Sequence, residues 1–281
     1  MNRRLALIPF LLLAGIAIFS VFFPSVTKPA TTASDGVNAA DTAWMIVATA
    51  LVLMMTIPGL ALFYAGMVRK KNVLATMAQS LSSVALISIL WVAYGYSLAF
   101  VGDGAWIGTL DRWFLAGMSM DSVNPAAKTI PEALFMLYQM TFAVITVALV
   151  AGSVADRMRF SAWLWFSVGW FTFVYVPLAH WVWGGGFLAT MGVLDFAGGL
   201  VVHLSAGIGG LVAAKTLGNR HGYLAENLAP FDLSLAVIGT GMLWVGWFGF
   251  NGGSALTASP RAVMAITATH LSACAGALTW A

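Results

Sequence analysis

One histidine stands out by where it sits. His203 lies in Val201-Val202-His203-Leu204-Ser205, inside a run from 196 to 214 with no charged residue. An ionisable side chain at such a depth in lipid costs about 2–3 kcal/mol. Two readings account for it: a neutral imidazole satisfied by one interhelical hydrogen bond, or an imidazole lining a substrate path. Asp195 is the one acid between Asp156 and Glu226, and Asp195-Phe196-Ala197-Gly198-Gly199 immediately precedes the His203 helix. As an N-cap, its carboxylate would accept backbone N–H groups between about Phe196 and Gly199. As a site residue it would be a direct cation ligand. A capped carboxylate still lends negative potential to a nearby cation.

Aromatic residues form the second set. Tyr138 and Phe142 are four apart, on one helical face, and Trp247, Phe250 and Ser254 follow at i, i+3 and i+7. Trp183 lies in an apolar segment beside Gly184–Gly186. Such a stripe can be plain packing. It can also be a cation–π box with one hydroxyl as hydrogen-bond acceptor, worth about 2 kcal/mol or more when desolvated. The other histidines are weaker candidates. His221, beside Arg220, is expected to be solvated; His180, beside Trp181, is expected at the membrane interface; His270 is expected to be buried and hydrogen-bonded. Cys274, the one cysteine, reads as a small core residue, and no Cys/His cluster suggests a metal. No P-loop, nucleophile elbow, zinc-protease or dinucleotide motif is present, and no general acid–base pair is apparent.

The elements that must position these residues follow from composition. Of 281 residues, 60% are apolar and only 8% charged, against about 25% in a soluble domain. That excludes a soluble enzyme, a nucleic-acid binder and a disordered scaffold, and makes lipid the expected solvent. The formal net charge of +3 is a loop excess rather than a nucleic-acid footprint. Uncharged runs cover 42–68, 72–102, 133–155, 160–194, 196–214, 233–260 and 262–281. The long run 160–194 is broken by Pro177 and the triple glycine. It reads as a helix over about 161–180 followed by an irregular apolar segment. Seven spans are therefore expected, beginning near 42, 74, 132, 161, 199, 233 and 261, in an all-α polytopic bundle.

Arg69, Lys70, Lys71, Arg157, Arg159, Lys215 and Arg220 fall in alternate loops, and Arg112, Lys128 and Arg261 in the others. The positive-inside rule puts the first set in the cytoplasm and the residue-42 end outside. Arg3 and Arg4 followed by the apolar run Leu5 to Phe23 read as a signal peptide, cleaved, or as an uncleaved anchor, with residues 1–35 as leader and linker. The last run stops at Thr279-Trp280-Ala281 without a basic loop, so the membrane domain 36–281 is expected to be C-terminally incomplete. The pairs Ser205/Gly209, Ala206/Gly210 and Gly249/Gly253 suit close helix packing.

These residues stand in longer motifs. Thr56-Ile57-Pro58-Gly59 through Phe63-Tyr64-Ala65-Gly66-Met67-Val68-Arg69, Ala179-His180-Trp181-Val182-Trp183-Gly184-Gly185-Gly186, Asp195 through Gly207, and Gly246 through Ser254 resemble, in order, those of the ammonium transporter (Amt/Mep/Rh) family. The resemblance runs from about 41 to 281. It implies a fold of eleven spans in two inverted halves of five plus one, assembled as a homotrimer with one pore per protomer. It further implies an outer ammonium site at Trp183, Phe142 and Ser254, a stacked gate of Phe142 and Phe250, and Trp247 lining the pore. Tyr138 stands at the gate, where many members have phenylalanine. His203 would be the first of two pore histidines, the second belonging to a tenth span that the chain lacks. Asp195 would order the site. The implied function is ammonium/ammonia transport for nitrogen uptake in the cell (inner) membrane, with no cofactor and with a PII-type signalling protein as cytoplasmic partner. An ammonium sensor of the same fold, a Rhesus-type gas channel and a nonfunctional fragment are the rival readings. The aromatic–serine site speaks against the gas channel.

Overall fold

The computed structural model describes residues 36–280, together with Leu11, Gly15 and Ile18. Apart from those three positions, the leader or anchor expected over 1–35 lies outside the described residues. Among the described residues, seven helices are long and apolar enough to cross a membrane: α1 (Ala39–Met67), α2 (Lys70–Phe100), α3 (Glu132–Ser153), α4 (Phe160–Thr190), α5 (Gly199–Leu217), α6 (Leu233–Gly252) and α7 (Pro260–Trp280). Each starts within a few residues of the expected position, because charged residues mark where the apolar runs end. The protein is a multi-pass, all-helical membrane bundle.

Local sequence explains the helix ends. Asn38 opens α1 by accepting the Ala40 and Asp41 N–H groups at 2.9 and 3.0 Å, and Asp232 caps α6 through Ser234 N–H at 2.8 Å. Pro58 breaks α1, leaving Ile57 extended (φ −126°, ψ 111°). The lower half of α1 then packs on α6. That approach needs glycine: a Cβ on Gly66 would lie 2.5 Å from Ala236 N, and one on Gly239 would lie 2.6 Å from Gly59 O. Helix α3 is the centre of the bundle, contacted by α1, α2 and α5 and buried along most of its length. Helix α7 is its opposite, with Ala262 as its buried residue and contacts mainly to the end of α6.

Five of the seven helices carry a wide π-type turn, at Met55–Leu60, Trp91–Gly95, Phe171–Tyr175, Gly199–Leu204 and Phe248–Gly252. Such turns shift side-chain register and free carbonyls from the regular ladder. The last two hold His203 and Phe250.

The basic loops meet on one face. Asp156, buried between α3 and α4, accepts from Arg69 Nε at 3.2 Å and Arg220 Nε at 3.1 Å, and also from Asn72 and a second Arg220 nitrogen. Arg69 also pairs with Glu226 at 3.1 Å. Burial alone would push the Asp156 carboxyl up; hydrogen bonds from Arg220 and Asn72 and the charges of Arg220 and Arg69 overcome that and hold it below its ordinary value. One carboxylate thus ties together the α1–α2, α3–α4 and α5–α6 connections. On the opposite face a buried network holds the long α2–α3 connection: Glu132 pairs with Arg112 at 3.4 Å and accepts from Tyr96 at 2.9 Å, while Asn124 donates to Tyr96 at 3.0 Å.

Helix α4 keeps its expected course to Val182, and the apolar segment after the glycines regains a short helical turn at Phe187–Thr190. His180 is fully buried within the protein, with Nδ1 3.0 Å from Ala99 O and Nε2 2.5 Å from Gly104 O. An uncharged imidazole has one N–H and donates to one of these two carbonyls. One expectation is corrected. His270 is exposed rather than buried, although its Nδ1 does accept the Trp244 indole N–H at 3.3 Å. It lies on the sparsely covered α7. His221 is exposed, 4.0 Å from Glu226.

Candidate functional site

Asp195 organises the start of α5. The chain reaches it through an irregular stretch and turns at Gly198 (φ +95°), a left-handed conformation that favours glycine. One carboxylate oxygen accepts Gly198 and Gly199 N–H at 2.7 Å each; the other accepts Leu200 and Val201 N–H at 2.9 and 2.8 Å. The capped groups are therefore Gly198 to Val201, two residues further on than expected. The wide first turn keeps all four N–H groups pointing back at the carboxylate. Both oxygens of Asp195 are thus engaged by the helix start.

The same residue reaches the aromatic set. The Asp195 carbonyl accepts the Trp183 indole N–H at 2.7 Å. Trp183 stands edge-on to Phe142, with ring centroids 5.8 Å apart and planes at 89°. Phe142 lies against Phe250 at 4.4 Å and against Tyr138 at 5.0 Å. Phe250 is 5.7 Å from the His203 ring and 5.6 Å from Trp247, which is itself 5.7 Å from His203. The rings thus form a continuous series from Trp183 through Phe142 and Phe250 to His203, although they come from four helices. Trp247, Phe250 and Ser254 do not share a regular helical face, because the wide turn at Phe248–Gly252 intervenes. Ser254 Oγ lies 2.8 Å from Phe250 O, four residues before it.

A cavity of about 660 Å³ opens at the Trp183 end of this series, on the face opposite the basic loops. Tyr138, Phe142, Trp183, Asp195 and Ser254 line it, and so do Gln139 and Arg261. Sequence reasoning passed over the last two. Gln139 carried a usable signal, a polar side chain at membrane depth directly beside Tyr138. Below the cavity, His203 is exposed at the side of the bundle, and its Nδ1 donates to Gly198 O at 3.1 Å. That bond places a proton on Nδ1. Among the described residues, no group of three His, Cys, Asp or Glu could hold a metal ion.

Ring faces, one hydroxyl and a carboxylate whose oxygens are taken up by backbone N–H groups line the mouth of the cavity. The Ammonium Transporter Family model matches residues 43–281. The chain belongs to that family. Within it, the chain is 50% identical to the ammonium transporter of Bacillus subtilis over 240 residues, covering 85% of this chain and 58% of that protein. It is 49% identical to a putative ammonium transporter of Methanothermobacter thermautotrophicus, covering 86% and 59%. Among solved structures, Candida albicans Mep2 superposes with a TM-score of 0.79 at 38% identity, over 87% of this chain and 54% of that one. A structure titled Sensor Amt Protein superposes at 0.72 with 28% identity, over 81% and 57%. The chain therefore spans somewhat more than half the length of the relatives it matches.

Proposed function

We propose that the chain is the part of an ammonium transporter that recruits the cation at the outer face and delivers it to the first pore histidine. The observation that carries this reading is the ring series from Trp183 to His203, with the cavity at its head. Ammonium entering the cavity exchanges water for the faces of Trp183 and Phe142 and for the Ser254 oxygen. Carrying the bare ion further through apolar surroundings is prohibitive by its desolvation cost. Deprotonation at the mouth removes that cost: the proton is left to the outer water or carried separately, and ammonia passes the Phe142–Phe250 pair toward His203, with Trp247 beside it. Asp195 orders the site by holding both Trp183 and the start of the His203 helix.

The domain assignment, a membrane domain over 36–281 behind a leader, goes with this reading. So do a homotrimeric assembly in the cell membrane, the basic loops in the cytoplasm and a PII-type cytoplasmic partner. The rival reading, a sensor of the same fold, draws on the likeness to the sensor structure. Transport is favoured because the relatives named as transporters are closer, at 49–50% identity against 28%. The test is methylammonium uptake by a full-length transporter carrying this segment, in cells lacking their own transporters. His203→Ala should largely abolish uptake while the protein still inserts; unchanged uptake would refute the pore role.

A further inference from the structure

Tyr138 carries an oxygen that ring packing does not need. Its ring stands edge-on to Phe142 at 5.0 Å, a contact that phenylalanine would make equally well. Its hydroxyl is buried, 3.0 Å from both Gly249 O and Phe250 O and 3.4 Å from Ser254 Oγ. Ser254 in turn donates to Phe250 O at 2.8 Å. Each hydroxyl has one proton. Ser254's goes to Phe250 O, so the Tyr138 proton is best used at Gly249 O. That leaves the Tyr138 oxygen as a second inward acceptor beside Ser254. Within this arrangement the Ser254 proton is taken by Phe250 O, and Ser254, which lines the cavity, has its oxygen left to accept.

We propose that Tyr138 is a specificity-determining residue: its hydroxyl, donating to Gly249 O of the wide turn with its oxygen beside Ser254, holds Ser254 as an acceptor and so selects cations that carry N–H bonds. The inference rests on the outer-site reading above and adds the chemistry by which that site tells one cation from another. Ring faces attract any small organic cation. A fixed acceptor adds an interaction open to methylammonium, which has three N–H donors, and closed to tetramethylammonium, which has none.

The experiment measures the affinity of both cations for the purified 281-residue chain in lipid nanodiscs, by calorimetry. Tyr138→Phe keeps the ring and removes the oxygen. It should weaken methylammonium about tenfold, the scale of one hydrogen bond to a charged group, and leave tetramethylammonium unchanged. Ser254→Ala should reproduce that loss of discrimination. Trp183→Leu should weaken both cations together. A Tyr138→Phe protein that keeps the wild-type ratio, or weakens both cations equally, overturns the role of the hydroxyl while leaving the site intact. A Trp183→Leu protein with both affinities unchanged overturns the site itself, and the role with it.

Discussion

The Trp183 indole donates to the Asp195 carbonyl at 2.7 Å, while the Asp195 carboxylate holds the four N–H groups that open the His203 helix. The outermost ring of the series and its innermost imidazole are therefore held by one residue, the ring through its backbone carbonyl and the imidazole's helix through its side chain. A side-chain substitution at Asp195 acts first on the helix start and leaves the carbonyl in place.

Substitutions at Asp195 separate capping from charge. Asparagine keeps one acceptor oxygen for two of the four N–H groups but turns an amide against the other two. Alanine keeps neither, and a lost cap costs about 1–2 kcal/mol. Asp195→Asn should retain weakened methylammonium binding, and Asp195→Ala should lose most of it and unfold at lower temperature. Equal and complete loss in both, with folded protein, would show that the negative charge matters rather than the cap.

Much of this arrangement was legible in the sequence, and the reason is the scarcity of charge. Asp41, Arg69, Lys71, Glu132, Arg159 and Asp232 bracket the apolar runs, so the helix starts could be read directly. Asp195 was legible as a cap because glycines and a short helix follow it. His180 was not, because its partners are the backbone carbonyls of Ala99 and Gly104, which no side-chain pattern encodes. The wide turns were equally hidden, since they alter register without a distinctive residue type. Their effect is clearest at Ser254, which lines the cavity with Tyr138, Phe142 and Trp183 although the regular i+7 spacing is interrupted. Asp156 carried a signal that went unused: it is a lone acid next to Arg157 and Arg159 in a basic loop.

The Asp156 cluster has a defined pH dependence. Because the folded protein holds this carboxyl below its ordinary value, its stabilising effect is complete above the usual aspartate range, near pH 4. The effect fades as pH falls through the depressed value. Asp156→Ala removes the acceptor and leaves Arg69 and Arg220 without it, at a cost of about 3 kcal/mol. Thermal unfolding followed from pH 7 to pH 3 should show the wild type losing stability at the acid end and the variant losing less. Parallel curves would contradict the role given to Asp156.

Close packing at the wide turn of α6 predicts a contrast between two glycines. A Cβ on Gly249 would lie 2.6 Å from Ala48 O, whereas one on Gly207 meets nothing within 4 Å. Gly249→Ala should destabilise by about 1–3 kcal/mol through forced displacement of α1. Gly207→Ala should be neutral or stabilising by about 0.5–1 kcal/mol, because alanine favours the helix interior. Melting temperatures of the two variants in the same detergent check this, and equal effects would count against the close approach of α1 and α6.

All the residues of the proposed outer site lie within this chain, so the 281-residue protein should bind ammonium-type cations without any further segment. Saturation-transfer NMR on methylammonium with the purified protein in nanodiscs measures this directly. Transfer should be strong, should be displaced by ammonium, and should be lost in Trp183→Leu and Phe142→Ala proteins that still fold. Absence of transfer to the wild type, or transfer that survives both substitutions unchanged, would contradict an ammonium site at Trp183, Phe142 and Ser254.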